Sequence, residues 1–126
     1  MAEGKSGTVV VIMVICLLVM TLQCDAYPVC SSYVVGGKTG WNKNFNNGWL
    51  DNVPLQPCDK FVFNYPKGKH NVAVVNKTGF DGCKTTPSDK VYTSGKDEIA
   101  LKDGANYFIC SIPGQCPPMK IKVDFT

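Results

Sequence analysis

Tyr107–Ile121 reads Y-F-I-C-S-I-P-G-Q-C-P-P-M-K-I. It sets two soft sulfur groups, Cys110 and Met119, on either side of a tight Pro113-Gly114 turn, with Cys116 beside that turn. A strand leads in over Tyr107–Cys110, which puts Cys110 on the same face as Phe108, two residues earlier. Another strand leads out. Met119, Ile121, Val123 and Phe125 alternate with Lys120, Lys122 and Asp124, the period of a half-buried strand. Strand, donor-rich loop, strand is an arrangement able to hold a soft metal on a rigid frame.

The rest of the chain reads as strands of the same kind. Lys60–Tyr65 places Phe61, Phe63 and Tyr65 on one face and Lys60, Val62 and Asn64 on the other. After the turn Pro66–Lys69, His70–Asn76 is more apolar and so predicts deeper burial. Tyr33-Val34-Val35 is a short strand closed by Gly36-Gly37. Val91–Thr93 and Glu98–Leu101 are strands around a turn at Ser94–Asp97, and Lys102-Asp103-Gly104 turns into Ala105–Cys110. Lys38–Leu55 keeps no period and predicts loop with a helical turn; Thr78–Asp89 predicts loop or a short helix. About seven short strands with turns between them predict an all-β fold, a β-sandwich or Greek-key barrel with little helix.

The chain has 126 residues, room for one domain. Lys5, the apolar run Val9–Met20 and the small-residue stretch ending at Ala26 predict a signal peptide over residues 1–26. The run is shorter than the roughly 20 residues of a membrane span. The domain is then 27–126, with no second apolar run and no hydrophobic tail for a GPI anchor. These features predict a soluble, secreted monomer. Every basic residue is Lys, and the formal net charge is +3. Losing Lys5, Glu3 and Asp25 with the leader makes the remainder one unit more positive. Such a surface suits loose attraction to anionic surfaces. Arg forks and basic clusters, the usual means of nucleic-acid recognition, are lacking, so no nucleic-acid partner is expected.

Seven cysteines are present, and Cys16 and Cys24 leave with the leader. Cys30, Cys58, Cys83, Cys110 and Cys116 remain, an odd set in an oxidising compartment. Two disulfides and one leftover thiol follow, with several pairings open. His70 is the only histidine. Singly, His70 reads as a capped surface imidazole, Cys110 as half of a disulfide and Met119 as core filler. Together an imidazole, a thiolate and a thioether favour copper. A Cys110–His70 nucleophilic dyad is the enzymatic alternative, but nothing in the sequence suggests an oxyanion site, so no enzyme and no catalytic residue is expected. Asn76-Lys77-Thr78 is an N-glycosylation sequon. Trp41 and Trp49 read as core, with an aromatic binding patch as the other reading.

These residues resemble the phytocyanin family, in its plantacyanin or basic blue protein subgroup. The resemblance runs through Tyr33–Gly36 with Gly40-Trp41, Phe61–Tyr65, His70-Asn71-Val72, Gly79-Phe80 with Cys83, Val91–Asp97, Tyr107–Cys110, Pro113-Gly114, Cys116 and Met119–Ile121. It implies a cupredoxin-like Greek-key sandwich and one type 1 copper ion used for one-electron transport. The implied copper ligands are His70, Cys110, position 115 and Met119, and the implied structural disulfide is Cys83–Cys116. Cys30 and Cys58, outside the family's usual pattern, then form an additional disulfide and leave Cys110 as the free thiol. Two departures stand out. Position 115 is Gln where the family has His, and Pro117-Pro118 leaves the loop before Met119 one residue short.

Two functions follow. The first is a secreted, plantacyanin-like glycoprotein of the plant extracellular space, the apoplast or cell wall, whose type 1 copper site is altered by Gln115. Its partner would be a redox protein or an anionic cell-wall polymer. The second is a copper-free cell-wall recognition or signalling protein on the same fold.

Overall fold

A computed structural model describes residues 29–126 of the chain. The predicted leader and its cleavage point lie outside the described residues. Among the described residues the strands are β1 (Ser32–Val34), β2 (Lys60–Asn64), β3 (Val72–Val75), β4 (Lys90–Tyr92), β5 (Lys96–Ala100), β6 (Ala105–Ile109) and β7 (Lys120–Asp124). One α-helix, α1 (Lys77–Gly82), and one 3-10 helix (Asn47–Asn52) interrupt them. No helix among the described residues is long and apolar enough to cross a membrane.

The strands form two sheets, β1-β2-β5 and β4-β3-β6-β7. In the first, β1 runs parallel to β2 and β5 antiparallel to it, pairing Tyr33 with Phe61 and Phe61 with Ile99. In the second every pairing is antiparallel, with Ala73 opposite Ile109 and Phe108 opposite Ile121. The sheets face each other across Phe61, Phe63, Ile99, Phe108, Ile121 and Val123, which form one buried cluster with Val35, Trp41 and Val72. Phe63 and Phe108 rings lie 5.4 Å apart, and Trp41 meets Phe63 edge-on at 5.1 Å. These are favourable aromatic geometries for a small core. Trp41 is fully buried, and Trp49 packs partly buried against the same cluster.

Alternation explains where each strand points. Phe108, Ile121 and Val123 face the first sheet, while the lysines of β7 face outward. β3 is apolar on both faces because both are covered: Val72 points into the main core. Ala73 and Val75 join Ile109 in a second cluster against Phe80 of α1. Val62 is buried too, on the face of β2 assigned above to Lys60 and Asn64.

β5 begins at Lys96, inside the predicted Ser94–Asp97 turn, because Lys96 and Asp97 still pair with Asn64 and Phe63 of β2. Asp97 is buried there. It accepts from the Ser94 hydroxyl at 2.5 Å and from the Tyr65 hydroxyl. Disulfide Cys30–Cys58 ties the approach of β1 to the approach of β2. Beside it, buried Asp59 accepts the Ser31 amide at 2.7 Å and the Gln56 amide at 3.0 Å. Disulfide Cys83–Cys116 joins the end of α1 to the loop before β7.

Candidate metal centre

The topology brings the candidate residues to one end of the sandwich. β3 and β6 are antiparallel neighbours, as are β6 and β7. The start of β3, the end of β6 and the start of β7 therefore lie at the same edge. His70 stands two residues before β3, Cys110 directly follows β6, and Met119 directly precedes β7. Strand assignment stops short of both sulfur residues, yet the ladder continues through them: the Cys110 amide donates to the Met119 carbonyl at 3.0 Å. A chain of backbone bonds then folds the loop back on itself. Met119 donates to Gln115 at 3.1 Å, and Gln115 donates to Ile112 at 3.2 Å. Gly114 sits at φ +82°, a left-handed position that glycine occupies without strain.

Side chains fix the opposite rim. Asn71, next to His70, donates to the Ser111 hydroxyl at 2.9 Å, and its amide oxygen accepts the Ser111 backbone N–H at 2.8 Å. The Asn71 carbonyl accepts the Trp41 indole N–H at 2.9 Å. His70 and Cys110 are thus held through their chain neighbours, on opposite sides of one reciprocal bond pair. Asn71 carries no chemistry of its own and was legible only as the residue after His70. Its partner Ser111, 40 positions away, left no sequence signal.

Cys110 and Met119 are fully buried, and Cys110 is the free cysteine among the described residues. His70 and Gln115 are half-buried. Their Nδ1 and Oε1 atoms are fully withdrawn from solvent and find no hydrogen-bond partner; among the described residues they are the only buried side-chain nitrogen or oxygen atoms in that state. Burial holds the His70 imidazole below its usual range, and the charges of Lys43 and Lys69 push the same way. Near neutral pH the ring therefore stays uncharged and keeps a free lone pair. Among the described residues no three His, Cys, Asp or Glu side chains converge as a metal cluster. The donors at this end are instead one imidazole, one thiol, one thioether and one amide oxygen.

Asn76 lies away from this end, exposed, at the N-cap of α1, where its side-chain oxygen accepts the Gly79 amide at 2.8 Å.

The sequence matches a family described as plastocyanin-like domain over residues 41–119. It is 47% identical over 93 residues to the basic blue protein of Cucumis sativus, an alignment spanning 73% of this chain and 96% of that protein. It is 37% identical over 128 residues to the basic blue protein of Arabidopsis thaliana, spanning 98% of each. Among solved structures it superposes on cucumber basic protein, a blue copper protein, with a TM-score of 0.69 and 46% identity, covering 75% of this chain and 99% of that one.

Proposed function

We propose a function from one premise: the chain belongs to the plastocyanin-like family, in its phytocyanin branch, with a cupredoxin-like fold and basic blue proteins among its relatives. The proposed function is one-electron transfer in the plant extracellular space, through a copper site altered at position 115. His70, Cys110 and Met119 would hold the ion, and copper would supply a one-electron couple when bound.

The observation that carries this reading is the pair of unused donors at one end of the fold. The buried Nδ1 of His70 has no protein partner, and the buried thiol of Cys110 is in no disulfide. An unpaired buried polar atom costs about 1–3 kcal/mol, so a fold that keeps one has a use for it. The residues fit a soft metal. His70 offers a neutral imidazole, Cys110 a sulfur able to become a thiolate, and Met119 a thioether. The Asn71–Ser111 bonds and the Cys110–Met119 backbone bond hold the donors on rigid strand ends, which suits a site that must change little between oxidation states. The lysines near His70, Lys43 and Lys69 with neighbouring Lys67, suit an anionic redox partner or wall polymer. Residues 1–26 as a signal peptide and Asn76 as a glycan acceptor complete the proposal of a secreted protein.

Copper loading tests it. The expected result is one copper per chain, with a visible sulfur-to-copper charge-transfer band lost in Cys110→Ser. A folded native chain that takes up no copper would overturn it and favour the copper-free recognition protein.

A further inference from the structure

We infer that Gln115 is itself a metal ligand, through its side-chain oxygen, so that the centre uses one imidazole nitrogen, one amide oxygen and two sulfurs. This rests on the copper reading above and specifies what replaces the second imidazole.

The two buried side-chain atoms left unpaired among the described residues are His70 Nδ1 and Gln115 Oε1. The loop that carries Gln115 is pinned at both ends to the sulfur donors. Its backbone carbonyl accepts from Met119, Cys110 bonds to Met119, and neighbouring Cys116 is fixed by its disulfide to Cys83. A glutamine free to turn would place its oxygen in solvent, which costs nothing. This one is kept out of solvent with its lone pairs unused. An amide oxygen is an acceptor with two lone pairs and no proton to give. Among the described residues, His70 Nδ1 is the other buried side-chain atom without a partner. Both atoms are buried without a hydrogen-bond partner at the end of the fold that carries the Cys110 thiol and the Met119 thioether, and a cation there would satisfy all four.

The chemistry of the substitution sets the expected behaviour. A neutral carbonyl oxygen is harder and a weaker donor to copper than imidazole. Cuprous ion, well served by His70, Cys110 and Met119, loses less from the exchange than cupric ion. Relative to a Gln115→His variant, the native centre therefore binds copper(II) more weakly and has the higher reduction potential.

The test uses the native chain labelled with carbon-13 at the glutamine side-chain carbonyl, followed by infrared difference spectroscopy with and without copper(II). A labelled amide band that moves to lower frequency on loading, and does not move in Gln115→Leu, is the expected result. Copper(II) affinity in Gln115→Leu should fall by at least about 10-fold, the loss typical of even an outer-shell partner. Gln115→Glu, which keeps the oxygen and adds charge, should restore it. Full copper loading with an unmoved amide band would overturn the inference and leave the copper reading standing. Absence of copper from the native chain would overturn both.

Discussion

Asn71 and Ser111 bind each other twice, side chain to side chain at 2.9 Å and backbone N–H to side-chain oxygen at 2.8 Å. They are the residues after His70 and after Cys110. The pair continues the β3–β6 ladder past Ala73 and Ile109, so the residues before Asn71 and Ser111, distant in sequence, are held at one end of the fold. Replacing Asn71 by Ala removes both bonds and leaves the Ser111 amide without its partner. The expected loss is about 1–3 kcal/mol of stability in urea unfolding. Ser111→Ala keeps the backbone bond and should cost less. The double mutant should show a coupling of about 0.5 kcal/mol or more; additive effects would mean that the pair does not act as a unit.

Tyr65 makes the alkaline limb of stability predictable. Its hydroxyl donates to buried Asp97 and also lies 3.1 Å from the Tyr92 carbonyl. Burial first, and then the bond to Asp97, push its phenol up from 10.0 to about 12. The folded state thus favours the neutral phenol by roughly 3 kcal/mol. The unfolded chain releases this proton near pH 10 and the folded chain only near 12. The contribution is fully present below pH 10 and is lost as pH rises from about 10 to about 12. Ultraviolet titration should show a late phenol that is lost in Tyr65→Phe, and the same change should flatten that part of the stability curve.

Asn76 caps α1, where it accepts the Gly79 amide, and it also heads the sequon Asn76-Lys77-Thr78, whose proposed glycan would use its side-chain nitrogen. The cap and the proposed glycan can be separated. Asn76→Ala should lose about 1 kcal/mol of stability. Asn76→Asp should keep the cap while abolishing any glycan, so thermal melting and intact mass should respond differently to the two changes.

Disulfide Cys30–Cys58 closes a loop across 28 positions, and chain-entropy arguments give such a loop about 3–4 kcal/mol. A Cys30→Ala/Cys58→Ala chain should lose stability on that scale in denaturant unfolding. It should keep the proposed copper binding, because the bridge ties the approaches of β1 and β2 and not the His70–Cys110 end. A change in the visible spectrum would show that the two regions are coupled.

Much of the fold was legible because alternation is a local signal. The run from Met119 to Phe125 has one possible buried face, and β7 buries that face: Ile121 and Val123 enter the core while Lys122 and Asp124 stay out. The higher apolar content of His70–Asn76 likewise foretold deep burial, which the structure gives as two covered faces of β3. β5 was harder. Lys96 and Asp97 look like a turn, and they became strand because β2 offered them partners and Tyr65 and Ser94 offered the buried carboxylate its hydrogen bonds.

The centre divides the same way. Which residues carry soft donors is a property of the sequence: one histidine, a cysteine and a methionine around a Pro-Gly loop, and glutamine at position 115. Side-chain chemistry is set by residue type, so folding could not add a second imidazole. Whether those donors meet, and which of their atoms go unpaired, belonged to the tertiary structure. Antiparallel pairing of β3, β6 and β7 gathers three strand ends at one edge. The Asn71–Ser111 bonds span 40 positions, and burial leaves both His70 Nδ1 and Gln115 Oε1 without a partner. Those are long-range hydrogen-bond and packing outcomes, and a local pattern holds no record of them.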